Sequence, residues 1–88
     1  MLVLSFGAEW CGACKTNKPV VRDACSAIKV GFQEVDVGVE SGAKLADFHG
    51  VSSLPTILVV DDGKELVRHS GVMTERQLRK YVDGCRTT

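Results

Sequence analysis

Two cysteines separated by two residues stand near the start of the chain, in Trp10-Cys11-Gly12-Ala13-Cys14-Lys15. In the first turn of a helix that spacing lets both sulfurs close one small disulfide ring. Unpaired N–H groups and the positive end of the helix dipole, at the same place, favour a thiolate over a thiol. Cys11, at the exposed tip, gains most and is expected to attack. Cys14, one turn in and shielded, is expected to resolve the mixed disulfide that results. The competing use of such a pair is a zinc half-site, which needs two further ligands converging on one point. The sequence offers no second pair: Cys25, Cys85, His49 and His69 are each single. Cys25 and Cys85 fall on apolar helical faces and read as small core hydrophobes, with Cys85 the better placed for a secondary thiol role. His49 reads as a helix-end residue and His69 as an exposed strand residue.

The elements that must position these sulfurs follow from periodicity. Leu2-Val3-Leu4-Ser5-Phe6 is a short apolar run stopped by Gly7, which suits a buried strand. From Cys11 onward, Val20, Val21, Ala24, Cys25 and Ile28 mark one face of a long helix, with Pro19 inside it removing one backbone hydrogen bond. Phe32 to Val37 alternates as a second strand after Gly31. Ala43 to Phe48 forms a short helix, with Ser41 as its cap and Gly50 closing it in a left-handed turn. Thr56 to Val60, an unbroken apolar run, is expected to be a central strand buried on both faces. Asp61-Asp62-Gly63-Lys64 signals a tight hairpin returning through Glu65 to Ser70. Thr74 and Gln77 make a capping box before a last helix with Leu78, Tyr81, Val82 and Cys85 on its buried stripe. The order β-α-β-α-β-β-α, with right-handed crossovers, predicts an α/β fold with a four-stranded mixed sheet and helices on both faces. The last residues, Arg86 to Thr88, are expected to fray.

Composition narrows the functions available. At 88 residues the chain is shorter than a typical domain of about 150, so one folded unit is the ceiling. Eleven basic residues balance eleven acidic ones, so the field that draws proteins to phosphate backbones or anionic lipid is missing, and no nucleic-acid partner is expected. The apolar start, Met1 to Phe6, is far short of the roughly 20 residues of a membrane span and lacks the basic leader of a signal peptide. A cytoplasmic protein without a membrane partner is therefore expected. Four cysteines in 88 residues also fall below the roughly 8–10% of a disulfide scaffold.

With these motifs in view, the sequence resembles the thioredoxin family from about Val3 to Val82. The family's Trp-Cys-Gly-Pro-Cys-Lys is matched by Trp10 to Lys15, preceded by Phe6, Ala8 and Glu9, and its helix-bending proline by Pro19. Its apolar-Pro-Thr signature, whose proline is cis and faces the cysteines, is matched by Leu54-Pro55-Thr56, and the glycine before its last helix by Gly71. The resemblance implies a single thioredoxin-like domain over 1–88. It also implies a dithiol-disulfide oxidoreductase that reduces protein disulfides through Cys11 and Cys14. Such a protein has no bound cofactor beyond the redox-active Cys11–Cys14 disulfide. Its partners would be disulfide-containing proteins and a separate electron donor, a thioredoxin reductase drawing on NADPH or a similar glutaredoxin-type or ferredoxin-linked donor, and the chain itself a monomer. Trp10, Ala13, Leu54, Pro55, Gly71 and Val72 would make a flat apolar patch for docking substrate, with the backbone of Leu54 beside Cys11.

Departures from the family pattern carry their own expectations. The family keeps a buried aspartate in the strand behind the cysteines, and Ser5 stands there. A hydroxyl does not titrate near neutral pH, so Cys14 must lose its proton elsewhere, with Glu34 on the neighbouring strand as the candidate acceptor. Ala13, after Gly12, replaces the family's proline, which implies a shifted, less reducing potential. The family's first strand and helix have no counterpart here, leaving one sheet edge less protected. Glutaredoxins share this shorter plan, but their glutathione pocket uses a Gly-Gly or Gly-Asp turn that Gly71-Val72-Met73 does not supply. A glutathione-coupled reductase and a non-catalytic binding subunit that keeps only the docking patch are the alternatives.

Overall fold

The computed structural model describes residues 1–86. Over these residues the chain runs β1 (Leu2–Gly7), α1 (Gly12–Ala27), β2 (Gly31–Asp36), α2 (Glu40–His49), β3 (Thr56–Asp61), β4 (Lys64–Ser70) and α3 (Glu75–Arg86). The sheet order is β2-β1-β3-β4, with β1 parallel to β2 and the other two pairings antiparallel. This is the minimal thioredoxin fold expected from the sequence. Two central strands, β1 and β3, are buried on both faces, which is why neither shows apolar–polar alternation.

Strand periodicity divides the core between the two faces. Val3, Ile57 and Val59 pack against Val21, Ala24 and Cys25 of α1 and Leu78 and Val82 of α3. Leu4, Phe6, Leu58 and Val60 point the other way, packing with Val35 of β2 and Ala46 of α2. Ser5 and Gly7 share the face of Val3 and so lie on the α1 side of the sheet. On the neighbouring strand, Glu34 stands opposite Ser5 and Asp36 opposite Gly7.

Several local expectations need correction. Gly7 is itself the last paired residue of β1, opposite Asp36, and a Cβ there would crowd Cys14 of α1. Val20 is 41% exposed, since the buried stripe of α1 follows Cys14, Asn17, Val21, Ala24 and Cys25. α2 starts at Glu40, three residues earlier than expected, and Ser41 does not cap it. The launch comes instead from a turn in which Asp36 Oδ1 accepts the Gly38 N–H at 2.8 Å. Gly50 does close α2, at φ 65°.

The hairpin takes the turn its sequence demands, with Asp62 at φ 51° and Gly63 at φ 79°. One bulge follows, because Val59 pairs with Val67 and Val60 with Glu65, leaving Leu66 over. The capping box closes both ways: Thr74 N–H donates to Gln77 Oε1 at 2.9 Å and Gln77 N–H to Thr74 Oγ1 at 3.1 Å. Arg86 belongs to α3 and donates to the Ile28 carbonyl at 3.0 Å rather than fraying, while Thr87 and Thr88 lie outside the described residues. Among the described residues no helix is long and apolar enough to cross a membrane.

Candidate active site

The loop after β1 delivers Cys11 to the start of α1, where it is the N-cap residue in extended conformation. Its Sγ accepts the Cys14 N–H at 3.2 Å, the role an oxygen plays in ordinary caps. Cys11 and Cys14 are joined as a disulfide with Cα atoms 5.3 Å apart. Cys11 is half-buried, whereas Cys14 is only 9% exposed. Accessibility therefore separates the two sulfurs in the direction attack and resolution need. The Cys14 N–H and the N-terminal end of α1 thus face Cys11 Sγ.

Behind Cys14 lies a cavity of about 370 Å³ lined by Ser5, Gly7, Glu9, Lys15, Lys18, Glu34 and Asp36, among others. Ser5 is buried at its wall. Glu34 stands exposed at the rim, its Oε2 taking a hydrogen bond from Lys18 Nζ at 2.9 Å. The structure thus brings Ser5, Glu34 and Cys14 to one cavity, and adds Asp36 and Lys18, which the sequence reading did not single out. Gly7 was also missed. A Cβ at Gly7 would lie 3.0 Å from Cys14 Cβ and 3.3 Å from its Sγ, so the glycine lets Cys14 approach the strand. A glycine closing an apolar strand just before a reactive motif was the available signal.

The Leu54–Pro55 peptide bond is cis, Pro55 is buried and Leu54 half-buried. The Pro55 carbonyl accepts the Gly71 N–H at 2.8 Å, which joins the two distant motifs. Val72 is 55% exposed beside them in sequence. Trp10, 72% exposed, lies over Gly38 in the turn after β2 and lines a shallow pocket with Glu9, Asp36, Gly38 and Val39. Gly12 and Ala13 are exposed in the first turn of α1.

The remaining ionisable groups sort away from the sulfurs. Burial pushes the Cys25 thiol up to about 11, which keeps it protonated and inert in the core. His49 ends α2 and stacks edge-on with Phe6 and Phe48. His69 is not simply an exposed strand residue: it is half-buried, with Nδ1 3.0 Å from the Tyr81 hydroxyl and Nε2 2.8 Å from the Val72 carbonyl. Arg68 forks between Glu65 and the carbonyls of His49 and Gly50, tying β4 to the end of α2 and holding the Glu65 carboxyl below its usual range. Among the described residues, no three His, Cys, Asp or Glu side chains group as a metal site.

A C-x-x-C pair capping a helix, set on a mixed four-stranded sheet that also carries a cis proline, defines a dithiol protein of the thioredoxin fold. The thioredoxin family model matches residues 1–84. The thioredoxin of Chlamydia trachomatis serovar D is 34% identical over 82 residues, 93% of this chain and 79% of that one. The thioredoxin of Mycoplasma pneumoniae is 33% identical over 82 residues, 92% and 78% of the two chains. Among solved structures, Fasciola hepatica thioredoxin aligns with a TM-score of 0.82 at 34% identity, covering 94% of this chain and 78% of that one. The chain belongs to the thioredoxin family, whose members are thiol–disulfide oxidoreductases.

Proposed function

We propose that this chain reduces disulfides in other proteins, and the observation that carries the reading is Cys11 Sγ capping α1 while bonded to the shielded Cys14. In the reduced protein the Cys11 thiolate attacks one sulfur of the substrate disulfide. A Cys11–substrate disulfide forms and one substrate thiolate leaves. Cys14 then attacks Cys11 Sγ, the Cys11–Cys14 disulfide forms, and the second substrate thiolate leaves, so two electrons pass to substrate. A separate reductase, NADPH-dependent in this reading, returns them. Trp10, Leu54, Pro55, Gly71 and Val72 supply the docking surface, and Gly12 and Ala13 tune the pair. We read the protein as a monomeric electron carrier of the cytoplasm that serves redox homeostasis. Insulin-disulfide reduction, run with dithiothreitol and then with thioredoxin reductase or glutathione as donor, tests it. Turnover with dithiothreitol is expected, with the reductase outperforming glutathione. No turnover with any donor refutes the reading.

Two substitutions test the tuning residues. Ser5→Asp places a carboxyl at the buried wall beside Cys14, where burial raises its pKa and the ionised form can take the Cys14 proton. Rapid-mixing measurements between about pH 6 and 9 should show resolution accelerated by up to about 10²-fold, the gain growing as pH rises through the new group's pKa. Identical profiles for the two proteins would show that Glu34 or water already suffices. Ala13→Pro restores the stiff residue of the family motif and should make the pair more reducing by about 30 mV, or about 1.4 kcal/mol for two electrons. Equilibration against glutathione measures this, and a shift toward a less reducing value would contradict it.

A further inference from the structure

Asn17 is a buried carboxamide on the apolar stripe of α1, one turn beyond Cys14 and one turn before Val21. A polar side chain in that position is costly unless both halves of its amide are paired. They are, and by one distant residue. Nδ2 donates to the Met73 carbonyl at 2.8 Å and Oδ1 accepts the Met73 N–H at 2.8 Å. A leucine would fill the same space without tying anything to α1.

The two residues before Met73 are held as well. Gly71 N–H donates to the Pro55 carbonyl, and His69 Nε2 lies 2.8 Å from the Val72 carbonyl while Nδ1 meets the Tyr81 hydroxyl. With Nε2 protonated, the neutral ring donates to Val72 and accepts from Tyr81, so one tautomer satisfies both contacts. Three consecutive backbones are thus fixed by three separate parts of the fold, while the Val72 side chain stays outside. A recognition loop ordered in advance does not lose that freedom when a partner binds.

We propose that Asn17 and His69 are positioning residues that preset the Gly71-Val72-Met73 loop for protein substrates, Asn17 by clamping Met73 and His69 by holding the Val72 carbonyl. The inference rests on the docking role given to this loop above. It assigns specificity for protein disulfides over small ones to side chains that touch no substrate. A small disulfide reaches Cys11 without spanning the loop and gains nothing from its order.

The test is steady-state kinetics of Asn17→Leu, Asn17→Asp and His69→Phe on insulin and on dithiobis-nitrobenzoate, with amide hydrogen exchange at Met73. Asn17→Leu should raise KM for insulin about five-fold, as expected for one hydrogen bond's worth of ordering, with kcat and the small-disulfide rate within about two-fold. Met73 should lose exchange protection in the same variant. Asn17→Asp keeps the acceptor for the Met73 N–H but sets a carboxylate oxygen against the Met73 carbonyl, so it should raise the insulin KM at least as much as Asn17→Leu. It decides the matter by the same criteria if Asn17→Leu does not fold. His69→Phe should raise the insulin KM in the same selective way. An unchanged insulin KM despite an unprotected Met73 amide overturns the inference, as does an equal loss on both substrates. Val72→Asp separates the two levels: if it leaves the insulin KM unaltered, the docking reading fails and the inference with it. If it raises KM and the Asn17 variants do not, the inference alone fails.

Discussion

Cys11→Ser is expected to lower protein-disulfide reduction by on the order of 10³-fold or more, because a serine hydroxyl at neutral pH has no population comparable to a capped thiolate. Cys14 cannot take over, being only 9% exposed and set against Gly7. Cys14→Ser should behave differently. The first attack survives and the second does not, so the enzyme should accumulate as a one-to-one mixed disulfide with insulin, visible on non-reducing gels and released by dithiothreitol. The pair of variants also separates chemistry from mere binding. A Cys11→Ser protein that keeps its complexes and its function in them would mean that the sulfurs are incidental and that the protein works as a binding subunit.

Gly42→Ala should be among the most damaging single changes to stability. A Cβ there would be driven into the backbone carbonyl of Asp36, and neither partner is a flexible side chain that can swing aside. α2 would have to lift from β2, disturbing the packing of Ala46 and Val35 and the turn beneath Trp10. Overpacking of this kind costs about 3 kcal/mol, which for a chain of this size lowers Tm by about 15 °C. Gly84→Ala in α3 is the matched control, since among the described residues a Cβ there meets nothing within 4 Å and helix propensity should favour it by about 0.5–1 kcal/mol. Calorimetry of the two variants checks both signs. A Gly42→Ala protein that melts with the wild type would mean α2 slides along β2 freely.

The elements and the reactive pair were legible because each has a local signature. Cys11 and Cys14 sit between an apolar strand and a helical stripe, Asp62-Gly63 dictates its turn, and Thr74 with Gln77 writes both halves of a cap. What escaped depends on partners far away in the chain. Ser41 looked like a cap because its type suits one, yet the Asp36–Gly38 turn had already set where α2 begins. His69 looked exposed because strand alternation says nothing of Tyr81 or Val72. Asn17 and Gly7 did leave a trace, as a polar group on an apolar stripe and a glycine at a strand end. Their meaning needed the residues opposite, Met73 and Cys14.

The dry setting of Cys25 has a consequence for how long the molecule can keep working. A sulfur held neutral and away from solvent reacts poorly with peroxide or alkylating agents, so an oxidative burst that cycles the Cys11–Cys14 pair leaves this atom untouched. Repeated use therefore does not scramble the chain through Cys25, and a fluorescent maleimide added after reduction would reach the entry sulfur long before the interior one.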